Sequence, residues 1–275
     1  LYDNDGAKIA IFDENLKQIG ISNHVAKGEK MYSSRFMGNK AYLVTYKTVD
    51  PLFVIDLSNE TKPTVLGELH IPGYSTYLHP YDENHLIGIG METEEIVNKN
   101  SIGKVTSTTS KITGMKMALF DVSDVNNPTQ LSQTIIGDSR TTSAILTNPK
   151  ALLFSKEKQL LAIPVNNYSE DFEIDSSIDS YSSIVDSYTN YNKSYVSEGY
   201  FVYKINIDDG FNLKGVITHE TSQKNENQSS YSYNYYNSKL LRGLYIDNNL
   251  YTISETAIKV NDLDTLELID ELKIK

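Results

Sequence analysis

The chain of 275 residues has no cysteine, no tryptophan and only 7 prolines. Without cysteine there is no disulfide, no thiolate metal site and no cysteine nucleophile. Basic charge is also short, since 25 Lys and Arg face 36 Asp and Glu, a net charge of −11. That balance speaks against nucleic acid as a partner, because duplex affinity rests on cations that neutralise phosphates. It speaks equally against a general attraction to anionic membranes. No apolar run approaches the ~20 residues that would make an integral membrane segment. No basic-then-apolar leader is visible. The chain opens on Leu1 rather than Met, and the expectation is that an upstream segment has been removed, one that could anchor the protein at the surface, so the missing leader is uninformative.

Catalytic signatures are missing as well. There is no GxSxG, no GxGxxG and no P-loop. The five histidines (His24, His70, His79, His85, His219) show no HxH or HxxxH spacing, which argues against zinc. "DNDG" at 3–6 and "DDG" at 208–210 do not continue into a calcium loop with its terminal Glu.

What the chain does have is tyrosine, 20 of them, and a repeated phrase. "FVIDLSNETKPTVL" at 53–66 returns as "ALFDVSDVNNPTQL" at 118–131. Each copy is a short apolar run, an Asp-led turn ending in Pro-Thr, and a second extended run. Weaker copies stand at 8–21, 200–217 and 257–274. If these strands are c and d, a second pair, a and b, precedes each copy except the first, at 34–46, 77–90, 150–165 and 242–254. The order is therefore cd, then abcd four times. Anchors at Asp13, Asp56, Asp121, Asn206 and Asn261 are 43 to 85 residues apart, and the shortest spacing matches the ~40–50 residues of a four-stranded propeller blade. A β-sandwich also yields many short strands but predicts no repeat at four-strand intervals. The expected fold is an all-β propeller with four complete antiparallel blades and a c/d half-blade. The simplest inference is the C-terminal part of a larger propeller filling residues 1–275, and a five-bladed ring with one incomplete blade is the alternative.

Several stretches resemble a known family, the secreted β-propeller domain of bacteria and archaea distantly related to WD-40 repeats. They are "YSSRFMGNKAYLVTYKTVDPLFVIDLSN" (32–59), "LGELHIPGYSTYLHP" (66–80), "HLIGIG" (85–90) and "KMALFDVSD" (116–124), with weaker support from 152–165 and 242–254. The resemblance implies the fold and export to the cell surface or beyond, and it brings no biochemical activity. Members of that family carry an acidic residue and a His before a Lys-Ala pair in the third blade. This chain has Asn148 and Pro149 there, so a metal or catalytic role at that place is not carried over.

In a meander blade the a–b and c–d turns share one face of the disc, and the b–c and d–a connections share the other. The long insertions at 91–115, 166–198 and 220–238 all fall on the second face, as the variable loops of repeat proteins do where they bind. Two of them are rich in Tyr, Ser and Asn. Tyr181, Tyr188, Tyr191, Tyr195, Tyr231, Tyr233, Tyr235 and Tyr236 offer the large, low-entropy contacts of a paratope, and a protein or glycan is the expected partner. The bland reading of the same loops is a solvated low-complexity segment. Asp171, Glu173, Asp175 and Asp179 alternate within one insertion and are the candidate ligands for a Ca²⁺ cofactor. On the inner strands, Arg35, His79 and Arg242, joined by Lys150 at the start of strand a in the third blade, form a candidate anion site in the channel. An Arg there also has a structural reading, packing its stem and bonding neighbouring carbonyls. A non-enzymatic binding propeller is thus the leading functional reading. A metal-dependent hydrolase at the channel mouth is the alternative, for which only Asp50 and Glu92 supply nearby carboxylates.

Overall fold

In the computed structural model the described residues are 2–3, 6–46, 50–169, 195–219 and 239–274. A short ribbon, β1 (Tyr2–Asp3) with β2 (Gly6–Ala7), leads into a two-stranded half-blade, β3 (Ala10–Phe12) with β4 (Gln18–Ile21). Four four-stranded meanders follow. Blade 1 is β5 (Lys30–Met37), β6 (Lys40–Tyr46), β7 (Asp50–Asp56) and β8 (Thr64–Ile71). Blade 2 is β9 (Tyr74–Pro80), β10 (His85–Lys99), β11 (Val105–Asp121) and β12 (Thr129–Ile136). Blade 3 is β13 (Leu153–Ser155), β14 (Leu160–Ser169), β15 (Tyr195–Asn206) and β16 (Gly210–Ile217), reached through two 3-10 turns at Ala144–Leu146 and Pro149–Ala151. Blade 4 is β17 (Leu240–Ile246), β18 (Asn249–Ser254), β19 (Ala257–Asp262) and β20 (Leu268–Lys273). Every pairing is antiparallel between neighbours in sequence, which is the cd, abcd order that the repeat predicts.

The core is a series of walls between blades. Tyr42, Val44, Leu52 and Val54 of blade 1 pack on Leu78, Leu86, Ala118 and Phe120 of blade 2. The opposite side of blade 2, with Ile87, Ile89, Met115, Met117 and Leu119, packs on Leu161, Ile163 and Phe201 of blade 3. Blade 3 meets blade 4 through Tyr200, Val202, Leu250 and Leu263. Because both sides of the middle strands of blades 1 to 3 are covered, their b and c strands read as largely apolar runs rather than alternating ones. First strands meet one another along the inside: Ser33 Oγ donates to Ser75 O (2.7 Å), and Tyr245 Oη donates to Ser155 Oγ (3.2 Å).

The repeated phrase has a physical basis at the c–d turn. The Asp13, Asp56 and Asp121 carboxylates accept from the backbone N–H two residues on, in Asn15, Ser58 and Ser123, at 2.8–2.9 Å. Asp262 does the same for Asp264 (2.9 Å), and Asn206 caps Asp209 (2.6 Å). These are Asx turns, and the bonds to Ser58 and Ser123 hold Asp56 and Asp121 below the usual carboxylate range. The fifth anchor is therefore Asp262 and not Asn261, which is buried and donates instead to Leu266 O (2.8 Å). The capped turn is tied to the a–b turn of its own blade: Leu57, Val122 and Leu263 N–H donate to Asn39, Asn84 and Asn248 O at 2.7–2.8 Å.

A second repeated device was not read from the sequence. Each c–d pair carries a register shift, at Ile11/Phe12, Val54/Ile55, Leu119/Phe120, Val202/Tyr203 and Val260/Asn261. Just beyond it stands a small residue in four cases: Gly20, Gly67, Ser132 and Gly215. There the outer strand touches the next blade's turn, so that a Cβ on Gly67 would meet Val125 O at 2.5 Å. In blade 4 the equivalent position is the exposed Asp270.

Candidate functional site

On the face opposite the capped turns, β10 and β11 do not stop where the blade ends. They stay paired from Glu92↔Gly114 out to Lys99↔Val105, with a β-bulge at Glu92/Thr93. The expected insertion at 91–115 is thus a two-stranded arm, built by continuing both strands. Its β-branched Val97, Val105, Thr106, Thr108, Thr109 and Ile112 suit an extended ribbon. The tip is closed by Asn100, whose Oδ1 accepts from Ile102 and Lys104 N–H at 3.1 and 2.9 Å. Ile96, Val97, Ile102 and Val105 are exposed along the arm, Ile102 to 82%.

The foot of the arm is anchored by charge. Lys116 is 2% exposed, lies 3.3 Å from Glu92 Oε2, and donates to Pro72 O in the crossover from blade 1. Thr93 Oγ1 accepts from Gly73 N–H (3.0 Å) in the same crossover. Glu92, expected as a carboxylate of the channel mouth, is instead buried in this ion pair.

Against the same foot, three tyrosines from two blades stack together. Tyr32 lies 4.4 Å from Tyr74 and 5.8 Å, edge-on, from Tyr46, and Tyr46 lies 4.8 Å from Tyr74, centroid to centroid. Lys30 Nζ sits 5.3 Å over the Tyr32 ring. Tyr46 Oη donates to Ser110 Oγ of the arm. Such an aromatic cluster, half-buried and bearing polar tips, is suited to stacking and hydrogen bonding with a partner. The sequence reading placed its tyrosines in the later insertions and missed this group. The signal was available in the spacing, since Tyr32, Tyr46 and Tyr74 stand at the start of one strand, the end of the next, and the start of the next blade.

Blade 3 repeats the pattern in part. β14 and β15 run on beyond the blade, Asn166 bridges to Thr142, and Arg140 stacks at 5.5 Å on Tyr168. Tyr195 opens β15. Tyr181, Tyr188, Tyr191, Tyr231, Tyr233, Tyr235 and Tyr236, and the acidic set Asp171, Glu173, Asp175 and Asp179, lie outside the described residues. Among the described residues no three His, Asp or Glu side chains converge in a way that could hold a metal. His219, at the crossover into blade 4, is buried between Ser254 Oγ (3.0 Å) and Thr252 Oγ1 (2.7 Å). Burial, with Lys259 adding to it, pushes this imidazole down to about 4, so it is neutral at pH 7.

The inner wall holds the other candidate. Arg35 pairs across from Tyr42, and His79 across from Ile87, so both point towards the next blade in order. Tyr77 Oη is 2.9 Å from His79 Nδ1, and the Phe154 ring packs on His79 at 5.0 Å. Burial first, then the Arg35 charge, brings the His79 pKa down to about 4. Arg35 Nε is buried with no hydrogen-bond partner among the described residues. The Arg35 charge thus reaches His79, whose direct neighbours are Tyr77 and Phe154, which the sequence reading did not name. Lys150 does not open a strand: it sits exposed on the second 3-10 turn, which Asn148 caps by accepting from Lys150 N–H (3.2 Å). Arg242 is exposed on β17 and acts on Tyr200. No hydrogen bond or ion pair joins Lys150 or Arg242 to the Arg35–His79 pair among the described residues.

The sequence profile of the family described as beta propeller domain matches residues 2–266. The chain belongs to that family. Two relatives of this propeller are archaeal. An uncharacterized protein of Methanocaldococcus jannaschii is 40% identical over 167 residues, covering 61% of this chain and 24% of its own. An uncharacterized protein of Archaeoglobus fulgidus is 27% identical over 274 residues, covering 99% of this chain and 32% of its own. The chain therefore spans a quarter to a third of the length of these relatives. Among solved structures, Synechocystis apocarotenoid oxygenase aligns with 98% of the propeller and 56% of its own chain, at 12% identity and a TM-score of 0.36. A hypothetical selenium-binding protein of Sulfolobus tokodaii aligns with 99% and 72%, at 9% identity and a TM-score of 0.34. Likeness at that level bears on no chemistry here.

Proposed function

We propose that this propeller is a non-enzymatic, extracytoplasmic binding module that holds a protein or glycan partner on the face bearing the arm. The observation that carries the reading is the Tyr32–Tyr46–Tyr74 cluster, with Lys30 over it, at the foot of a two-stranded arm with exposed apolar residues. Rigid aromatic groups with polar tips beside exposed apolar surface are the usual anchors of recognition. In strand order the Tyr-rich insertions at 166–198 and 220–238 fall in b–c and d–a connections, the class of connection to which the arm also belongs. Export rests on the resemblance to the secreted family and is checked by cell fractionation.

The test is binding of the purified chain to arrayed prokaryotic surface glycans and to a displayed peptide library. Tyr46→Ala and Tyr74→Ala should each weaken the selected ligands about tenfold, with unchanged circular dichroism. Ligands indifferent to both substitutions, ligands that are turned over, or no ligand at all would overturn the reading.

The same reading treats the chain as part of a larger propeller. Leu244, Tyr251, Ile253, Ile258, Val260 and Leu272 form the wall of blade 4 that faces away from blade 3. None of them is buried, whereas the matching walls of blades 1 to 3 are covered by the next blade. An apolar wall of this shape is suited to one more blade.

A further inference from the structure

We infer that the arm joins two copies of this chain, the free edge of β11 pairing with the same edge of a second molecule as an antiparallel ladder. The inference uses the same face as the proposed partner site but does not depend on that reading. β12 pairs with β11 only from Met115 to Asp121, and no described strand covers the outer edge of residues 105–114. An uncovered strand edge presents unpaired N–H and C=O groups that template another strand. Natural edges are blunted by charge, proline or a bulge; β11 is bulged at 105–107 and 112–114, but the stretch between, 107–112, "STTSKI", pairs with β10 without a break and has no proline and one charge. Residues 101–109 are all exposed.

Charge decides which partner fits. Self-pairing of the β10 edge about Glu94 or Glu95 would set like charges opposite each other. The β11 edge carries Lys111 alone, and its self-pairing about a residue near Thr109 puts no like charges opposite each other. The whole arm, residues 94–113, has three Lys and two Glu, +1 on a chain of −11. It is thus a part of the molecule where two acidic copies can touch without local repulsion. It also holds the bodies apart, because the strand from 92 to 99 extends about 24 Å at ~3.4 Å per residue. That exceeds the screening length of about 8–10 Å at ordinary salt. Twofold pairing uses up both β11 edges, so the assembly closes as a dimer and does not grow into a fibre.

The experiment is sedimentation velocity on the intact chain from about 1 to 500 μM, with an expected Kd of tens of micromolar for so small an interface. Ser107→Lys, adding like charge beside Lys111 of the second copy, should weaken the dimer about threefold to tenfold, and Ser107→Glu should tighten it by a similar factor. At about 1 M salt the two variants should converge. Ser107 is exposed, so both variants should keep the parent's circular dichroism and melting curve. A chain that stays monomeric throughout the range would overturn the inference, and so would a dimer that binds equally tightly in both variants.

Discussion

β11 has two ends, and they are built by opposite means. At Asp121 the strand stops within one residue, its carboxylate bonded to Ser123 N–H and the next residue bonded to Asn84 O. At the other end it runs on for ten residues past the blade, from Gly114 to Val105, with no covering strand on its outer edge among the described residues. The Asp121 end belongs to a face where the half-blade and all four blades close the c–d turn with Asp or Asn. The Val105 end belongs to a face where the b–c connections range from the short link after Tyr46 to a long arm. A turn that must sit against its neighbour blade has little freedom, because Gly67 already touches the turn of blade 2. A connection that leaves the disc meets no such limit, so sequence there is free to serve binding.

The sharpest way to break this contrast is at the foot of the arm. Replacing Lys116 by Met leaves the buried Glu92 carboxylate without its counter-charge and should cost about 3 kcal/mol in urea unfolding. Adding Glu92→Leu to that variant should restore most of the loss, since a buried ion pair and an apolar pair are of similar worth. On the capped face the largest single effect is expected from Gly67→Val. Its side chain would push into Val125 O, and the cost should be roughly 2–3 kcal/mol by the same measurement. Smaller substitutions then separate the two faces. Asp121→Ala removes the turn cap and should cost about 1 kcal/mol, while Ile102→Ser at the arm tip should stay within about 0.5 kcal/mol. If the arm-tip change proved as costly as the cap, the arm would be part of the scaffold and not a projection from it.

Much of this architecture is legible along the chain. A strand's apolar run and an Asp-led turn are local, so the phrases at 53–66 and 118–131 located five c–d pairs and the a–b pairs between them. The error at the fifth anchor was one residue, because "VNDLD" offers Asn261 and Asp262 side by side and only the register shift at Val260/Asn261 makes Asp262 the cap. Lys150 was misplaced for a related reason. "TNPKA" reads as the start of a strand, but Asn148 and Pro149 are helix-start residues and form a 3-10 turn. The insertion at 91–115 was located, but that it is an arm was not seen. Its alternation of Ser, Thr and β-branched residues is that of an exposed ribbon, which composition alone does not distinguish from a solvated loop.

By itself, then, the sequence determined the order of the blade strands and the turns that join c to d, because these are local in the chain; the β1–β2 ribbon before the half-blade was not read. The sequence also determined that the chain is acidic and rich in tyrosine. Only the tertiary structure decided which of those tyrosines meet, that the Arg35 charge reaches His79 while, among the described residues, Lys150 and Arg242 join them in no ion pair or hydrogen bond, and that Glu92 pairs with Lys116. Tyr32–Tyr74 and the Arg35 charge on His79 act between blades, 42 and 44 residues apart, and Lys116 links its own blade's Glu92 to Pro72 O in the crossover from blade 1. They depend on how each sheet twists and seats against the next, which is a matter of packed surfaces and not of local pattern.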